Sequence, residues 1–173
     1  MCLMSGGRHM DIDLSPQHGV SCMGNGECSG GFQHTYWDYV KQNGMVSEKC
    51  MPYQSGADGS VPSCPAMCAD GTSLNQSRVF VDSYYALPPD VNTIKAEIVY
   101  NGPVQALFTV YHDFYSYGRG VYNHVTGDKI GNHVVTLLGY GTDKRTGKGL
   151  EKINGEQVGG MEGILRYAKE TVE

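Results

Sequence analysis

Apolar and polar positions alternate with a helical period near the start of the chain. Phe32, Tyr36, Trp37 and Val40 recur at spacings of four, one and three, which puts them on one face of a helix. Ser29 reads as its cap and Gly44 as its terminator. A shorter helical turn is predicted at Leu14-Ser15-Pro16, with Ser15 as cap and Pro16 at the first helical position, where the missing amide proton costs nothing. From 44 to 77 the periodicity disappears into Gly, Pro, Ser, Asp and Cys. That predicts a long irregular surface stretch, uncommon inside a compact domain unless crosslinks or function hold it.

The second half follows a different pattern. Asn92 is placed to cap a helix through Ile94, Ile98 and Val99, stopped by Asn101-Gly102-Pro103. Residues 104–110, 120–124 and 133–138 are short β-branched and aromatic runs bounded by Gly, Asn and Asp, the pattern of antiparallel strands. Residues 160–173 admit two readings: a last strand around Gly163-Ile164-Leu165-Arg166, or a helix with Ile164, Leu165 and Ala168 inward and Glu170 and Glu173 outward. Helix-rich first and strand-rich second is the order of an α+β protein with segregated halves.

Composition narrows the function classes. The 173 residues are 40% apolar and 18% charged, a globular balance. A net charge of -5 leaves no basic stripe, so nucleic acid is not an expected partner. No apolar run approaches the roughly 20 residues of a membrane span. Residues 1–9 lack the cationic and apolar stretches of a signal peptide. Against that stand six cysteines in a chain with 24 glycines, a content that favours disulfides and an oxidising compartment. Reduced, buried cysteines in a cytosolic protein remain the alternative. Zinc is the other rival, because Cys64 and Cys68 have CxxxC spacing and six histidines are present, but no second tight pair completes a tetrahedron. No metal and no cofactor is therefore expected.

Three stretches together resemble the papain family of cysteine peptidases, in its cathepsin B-like branch. One is Ser21-Cys22 through Phe32, SCMGNGECSGGF, similar to a cysteine-rich loop ending in C-x-G-G. The second covers residues 95–143, with its helix, N-G-P, Y-x-D-F, G-V-Y, a G-x-H turn and an aliphatic strand closed by G-Y-G. The third is the helix around Tyr36-Trp37, then Gly44 and Cys50-Met51-Pro52-Tyr53. The resemblance implies one peptidase-homology domain over 1–173, with a papain-like two-lobe fold. Residues 1–90 would form an incomplete helical lobe with cysteine-rich loops, and residues 91–173 an antiparallel, β-barrel-like lobe.

It also implies roles. His133, in Gly131-Asn132-His133, stands where the family keeps its catalytic imidazole. Taken alone it reads as a core histidine at a strand start, and the flanking match reverses that preference. Asn154 falls at the family's orienting asparagine, although the family continues Ser-Trp-Gly and Gly155 follows here. Gly30 and Gly31 match the pair that approaches the backbone of an extended substrate, with a plain helix-entry turn as the equal alternative. Cys22 would pair with Cys64 and Cys50 with Cys68. Cys2 and Cys28 match cysteines whose partners lie in a segment that this sequence does not contain.

The family's nucleophile lies in a C-G-S-C-W-A-F-like segment preceded by a glutamine, and nothing in these residues matches either. The expectation is a catalytically inactive homologue, a structural or binding component of a larger assembly, with a protein partner covering the exposed core of the helical lobe. The alternative is a fragment of an active cysteine endopeptidase that a separate N-terminal piece completes, in which case a peptide is the substrate. The stretch 50–64 matches the cleft-blocking loop of cathepsin B but has no histidine, so no exopeptidase preference is expected. The resemblance implies a lysosomal, vesicular or extracellular setting.

Overall fold

The computed structural model describes residues 2–5, 8–118, 122–142, 149–154 and 165–167, with side chains over 12–118 and 122–141. It divides into two compact units, Met1–Tyr85 and Ala86–Glu173.

The first unit opens with an antiparallel pair, β1 (Cys2–Ser5) and β2 (Arg8–Asp11), in register Cys2↔Asp11. Helix α1 (Pro16–Cys22) begins as the sequence predicts, with Pro16 first and the Ser15 hydroxyl accepting from the His18 amide. Helix α2 (Gln33–Asn43) departs from expectation at its start. Ser29 ends a separate 3-10 turn (Glu27–Ser29), and α2 begins after Phe32 with no side-chain cap. Gly30 at φ 99 turns the chain between the two, so Ser29 cannot serve as cap.

Residues 44–77 are not merely surface. They supply Val46, Cys50, Met51, Cys68 and Leu74 to a buried cluster, with Met45 buried close by. Two disulfides, Cys22–Cys64 and Cys50–Cys68, crosslink the stretch as the resemblance implies. They also remove Cys64 and Cys68 as zinc ligands. Gln17 binds the same stretch through its side chain: Oε1 accepts from the Gln54 and Ser55 amides, and Nε2 donates to Ser21 and Ser55. Crosslinks and a buried amide hub thus replace the periodic packing that the sequence lacks there.

The second unit begins with α3 (Val91–Tyr100), whose cap is Asp90 and not Asn92. The Asp90 carboxylate accepts from the Thr93 amide at 2.7 Å and its hydroxyl at 2.8 Å. Strands β3 (Val104–Tyr111), β4 (Lys129–Thr142), β5 (Gly149–Asn154) and β6 (Leu165–Tyr167) form one antiparallel sheet in sequence order. β6 pairs with β5, which contradicts the helical reading at 165–167; the rest of 160–173 lies outside the described residues. An edge strand offers unpaired backbone groups that an extended segment satisfies better than a helix. The run at 120–124 is not a strand where it is described: Tyr122 makes one bridge and Asn123 and His124 none, while 120–121 lie outside. Asp113 holds this segment instead, as set out below. Ile94, Phe108, Phe114, Tyr122, Val135 and Leu137 form the core of the unit.

Candidate functional site

β4 carries the residue of greatest chemical interest. Along it, Val135 and Leu137 are buried while Asn132, Val134 and Thr136 are exposed, so the period of two puts His133 on the core side. There it faces Phe108, its direct partner in the β3–β4 register, with ring centroids 5.5 Å apart and planes at 88°. Edge-to-face packing of this kind fixes an imidazole plane without consuming a ring nitrogen. His133 is half-buried, so the ring is supported on one side and reachable on another.

Asn154 ends β5, the strand hydrogen-bonded to the other edge of β4, where it is in register with Thr136. The ladder therefore brings the two predicted residues onto neighbouring strands, with Asn154 opposite the position three beyond His133. The Asn154 side chain and Gly155 lie outside the described residues.

Gly30 and Gly31 belong to the first unit. The Asn25 side chain clamps their loop shut: Nδ2 donates to the Phe32 carbonyl at 2.9 Å and Oδ1 accepts from the Phe32 amide at 3.1 Å. A methyl group on Gly31 would overlap the Asn25 carbonyl oxygen. Gly30 is left-handed with open space around it. Both are exposed, so their backbone is open to solvent. Cys28, at the tip of the same loop, is a free, exposed thiol. The side chain of Cys2 lies outside the described residues. The Asn25 clamp was not anticipated, although Asn25-Gly26 is a turn signal that points to the spot.

A second polar cluster braces the sheet. Asp113 Oδ2 accepts from the Val125 amide at 2.7 Å and the Thr126 amide at 3.1 Å. Its Oδ1 accepts from the Tyr122 hydroxyl and lies 3.2 Å from His124 Nδ1. These donors, Tyr122 foremost, hold the Asp113 carboxyl well below the usual carboxylate range. Burial first, then the Asp113 carboxylate, raises the Tyr122 phenol above its ordinary value. His124 also stacks flat on Tyr111 at 3.7 Å. This cluster ties the 122–128 segment to the end of β3. Among the described residues no group of three or more His, Cys, Asp or Glu side chains is arranged to hold a metal ion, and no helix is long and apolar enough to cross a membrane.

Comparison with known proteins matches residues 1–171 to the pattern of the papain family cysteine proteases. The chain is 40% identical over 136 residues to Cathepsin B-like CP3 of Giardia intestinalis, covering 76% of this chain and 44% of that protein. It is 31% identical to a cathepsin B-like cysteine proteinase of Schistosoma japonicum, covering 98% of this chain and 57% of that one. It therefore spans about half the length of these relatives. Among solved structures, procathepsin B S9 from Trypanosoma congolense superimposes with a TM-score of 0.83 at 31% identity, over 94% of this chain and 56% of that one. Digestive procathepsin L2 from Tenebrio molitor gives 0.71 at 26% identity, over 93% and 49%.

Proposed function

From the premise that the chain belongs to the papain family of cysteine proteases, in its cathepsin B-like branch, we propose that these 173 residues form a catalytically inactive homologue serving as a structural or binding component of a larger assembly. The observation that carries this reading is the residue after Asn154. The branch continues Ser-Trp-Gly there, whereas this chain continues Gly155 and has its one Trp at position 37, in α2. The chain therefore lacks the indole that in the branch shelters the asparagine–histidine hydrogen bond from water, and acid–base work by His133 loses that support. The same 173 residues hold no C-G-S-C-W-A-F-like segment, so His133 has no matching thiolate within them to activate. The first unit leaves Phe32, Phe80 and Tyr85 70%, 57% and 65% exposed, apolar side chains available to a partner. A protein partner would cover such surface.

A second reading has its own support in the length comparison. The chain spans 44% and 57% of two relatives, and the Gly30-Gly31 backbone stays open as a substrate-pairing edge requires. On that reading a separate N-terminal piece brings the thiolate, His133 and Asn154 act on it, and a peptide is the substrate. An electrophilic probe built for papain-family thiolates separates the two. It is applied to the chain alone and to the chain mixed with the N-terminal segment of a cathepsin B-like relative. The inactive reading expects labelling no faster than that of glutathione in both samples. Rapid labelling of the chain alone overturns it, and rapid labelling only on mixing establishes the second reading.

A further inference from the structure

We propose that His18 is an acid-sensitive latch in the first unit: neutral, it closes the packing between α1, α2 and the Met45 segment, and its protonation weakens that packing.

The geometry leaves the ring no means of carrying a charge. His18 is wholly buried, at 0% exposure. An imidazolium presents two N–H donors, and each needs an acceptor once water is excluded. Nδ1 has only the Met45 sulfur, at 3.2 Å, a weak acceptor. Nε2 is buried and has no hydrogen-bond partner among the described residues. The ring also leans on Tyr39 of α2, with centroids 5.9 Å apart.

The surrounding charge works in the same direction. Arg78 is the cation that acts on the ring, and its guanidinium is held in place by donation to the Asn43 carbonyl at 2.8 Å. α2 contributes Tyr39 and, beside Gly19, Tyr36, whose phenol burial pushes up and so keeps neutral. Among the described residues no carboxylate pairs with His18. A proton on His18 would thus place a second positive charge near a fixed first one, with nothing to offset it.

Burial, then Arg78, lowers the His18 pKa from 6.5 to about 4. A histidine whose folded pKa lies below its unfolded value stabilises the fold fully above the unfolded value and ceases to do so as pH falls toward the folded one. Between about pH 7 and about pH 5 this linkage lowers the folding equilibrium constant of the unit about 20-fold. Asp113 contributes nothing in that window, because its carboxyl titrates below it.

Trp37 makes the test local, since it is the one Trp of the chain and lies in α2. Urea denaturation of the full chain is followed by Trp37 fluorescence at about pH 7 and about pH 5, for wild type and for His18→Gln, which keeps a polar side chain but cannot titrate. The latch predicts that the wild-type folding constant falls about 20-fold across this interval and that of His18→Gln falls far less. Parallel falls in both proteins overturn it. Should His18→Gln fail to fold, the wild-type protein still decides through its His18 Cε1 proton, assigned by its proximity to the Met45 methyl. Under the latch this resonance stays in place through pH 6.5 and shifts only as Trp37 fluorescence reports opening. A resonance that titrates near 6.5 with the first unit intact overturns the proposal.

Discussion

Phe108 and His133 sit opposite each other in the β3–β4 ladder, ring edge to ring face at 88°, so the imidazole is part of the aromatic packing of the second unit. Phe108 also meets Phe114 edge to face at 5.7 Å, and it is only 6% exposed. Truncation there removes core packing and the support of the imidazole together. Phe108→Ala is expected to destabilise the second unit by about 3–5 kcal/mol, and Phe108→Leu by about 1.5 or less. Urea denaturation followed by near-UV circular dichroism checks this.

Asp113 predicts an acid limb in the same unit. Its carboxyl is held below the ordinary 3.8 by the Tyr122 hydroxyl and the Val125 amide above all. A depressed carboxylate stabilises the fold above its unfolded pKa, and that stability is lost as pH falls from there toward the folded value. The thermal midpoint of the wild type should therefore drop steeply below about pH 4. Asp113→Asn should melt lower at neutral pH and show a flatter profile in acid; an equally steep limb in the variant would remove Asp113 as its cause.

The crosslinks predict an ordering within the first unit. Cys22–Cys64 closes a span of 42 residues and Cys50–Cys68 one of 18. By chain entropy the longer contributes about 4 kcal/mol and the shorter about 3 kcal/mol. Paired serine replacements, Cys22→Ser with Cys64→Ser and Cys50→Ser with Cys68→Ser, should both lower the Trp37-detected urea midpoint, the first by more.

Ser15 caps α1 and also donates to the buried Met51 carbonyl at 2.6 Å. Ser15→Ala removes both bonds and leaves a carbonyl without its donor. A loss of about 1–2 kcal/mol is expected in the same fluorescence assay.

Local chemistry explains which of these features the sequence displays. Ser15-Pro16 combines a cap with a residue suited to the first helical turn, and the α1 start is legible from that pair alone. Asp90 and Asn92 are both competent caps two residues apart, and only the backbone, extended at Asp90, decides between them. Ser29 misleads because Gly30, Gly31 and Phe32 separate it from α2, and Gly30 takes a positive φ. The buried cluster at 44–77 has no period to read, since disulfides and the Gln17 hub set its packing. His18 sits in the polar run Gln17-His18-Gly19, which gives no hint of complete burial. His133 stands out only through its flanking resemblance, because a histidine within a strand such as β4 looks the same in sequence whether it packs or reacts.

Loss of catalysis is tested most directly by hydrolysis of a fluorogenic peptide amide by the purified 173-residue chain, with His133→Ala as the control. An inactive homologue gives no turnover above buffer with either protein. Turnover by the wild type that His133→Ala abolishes would contradict it.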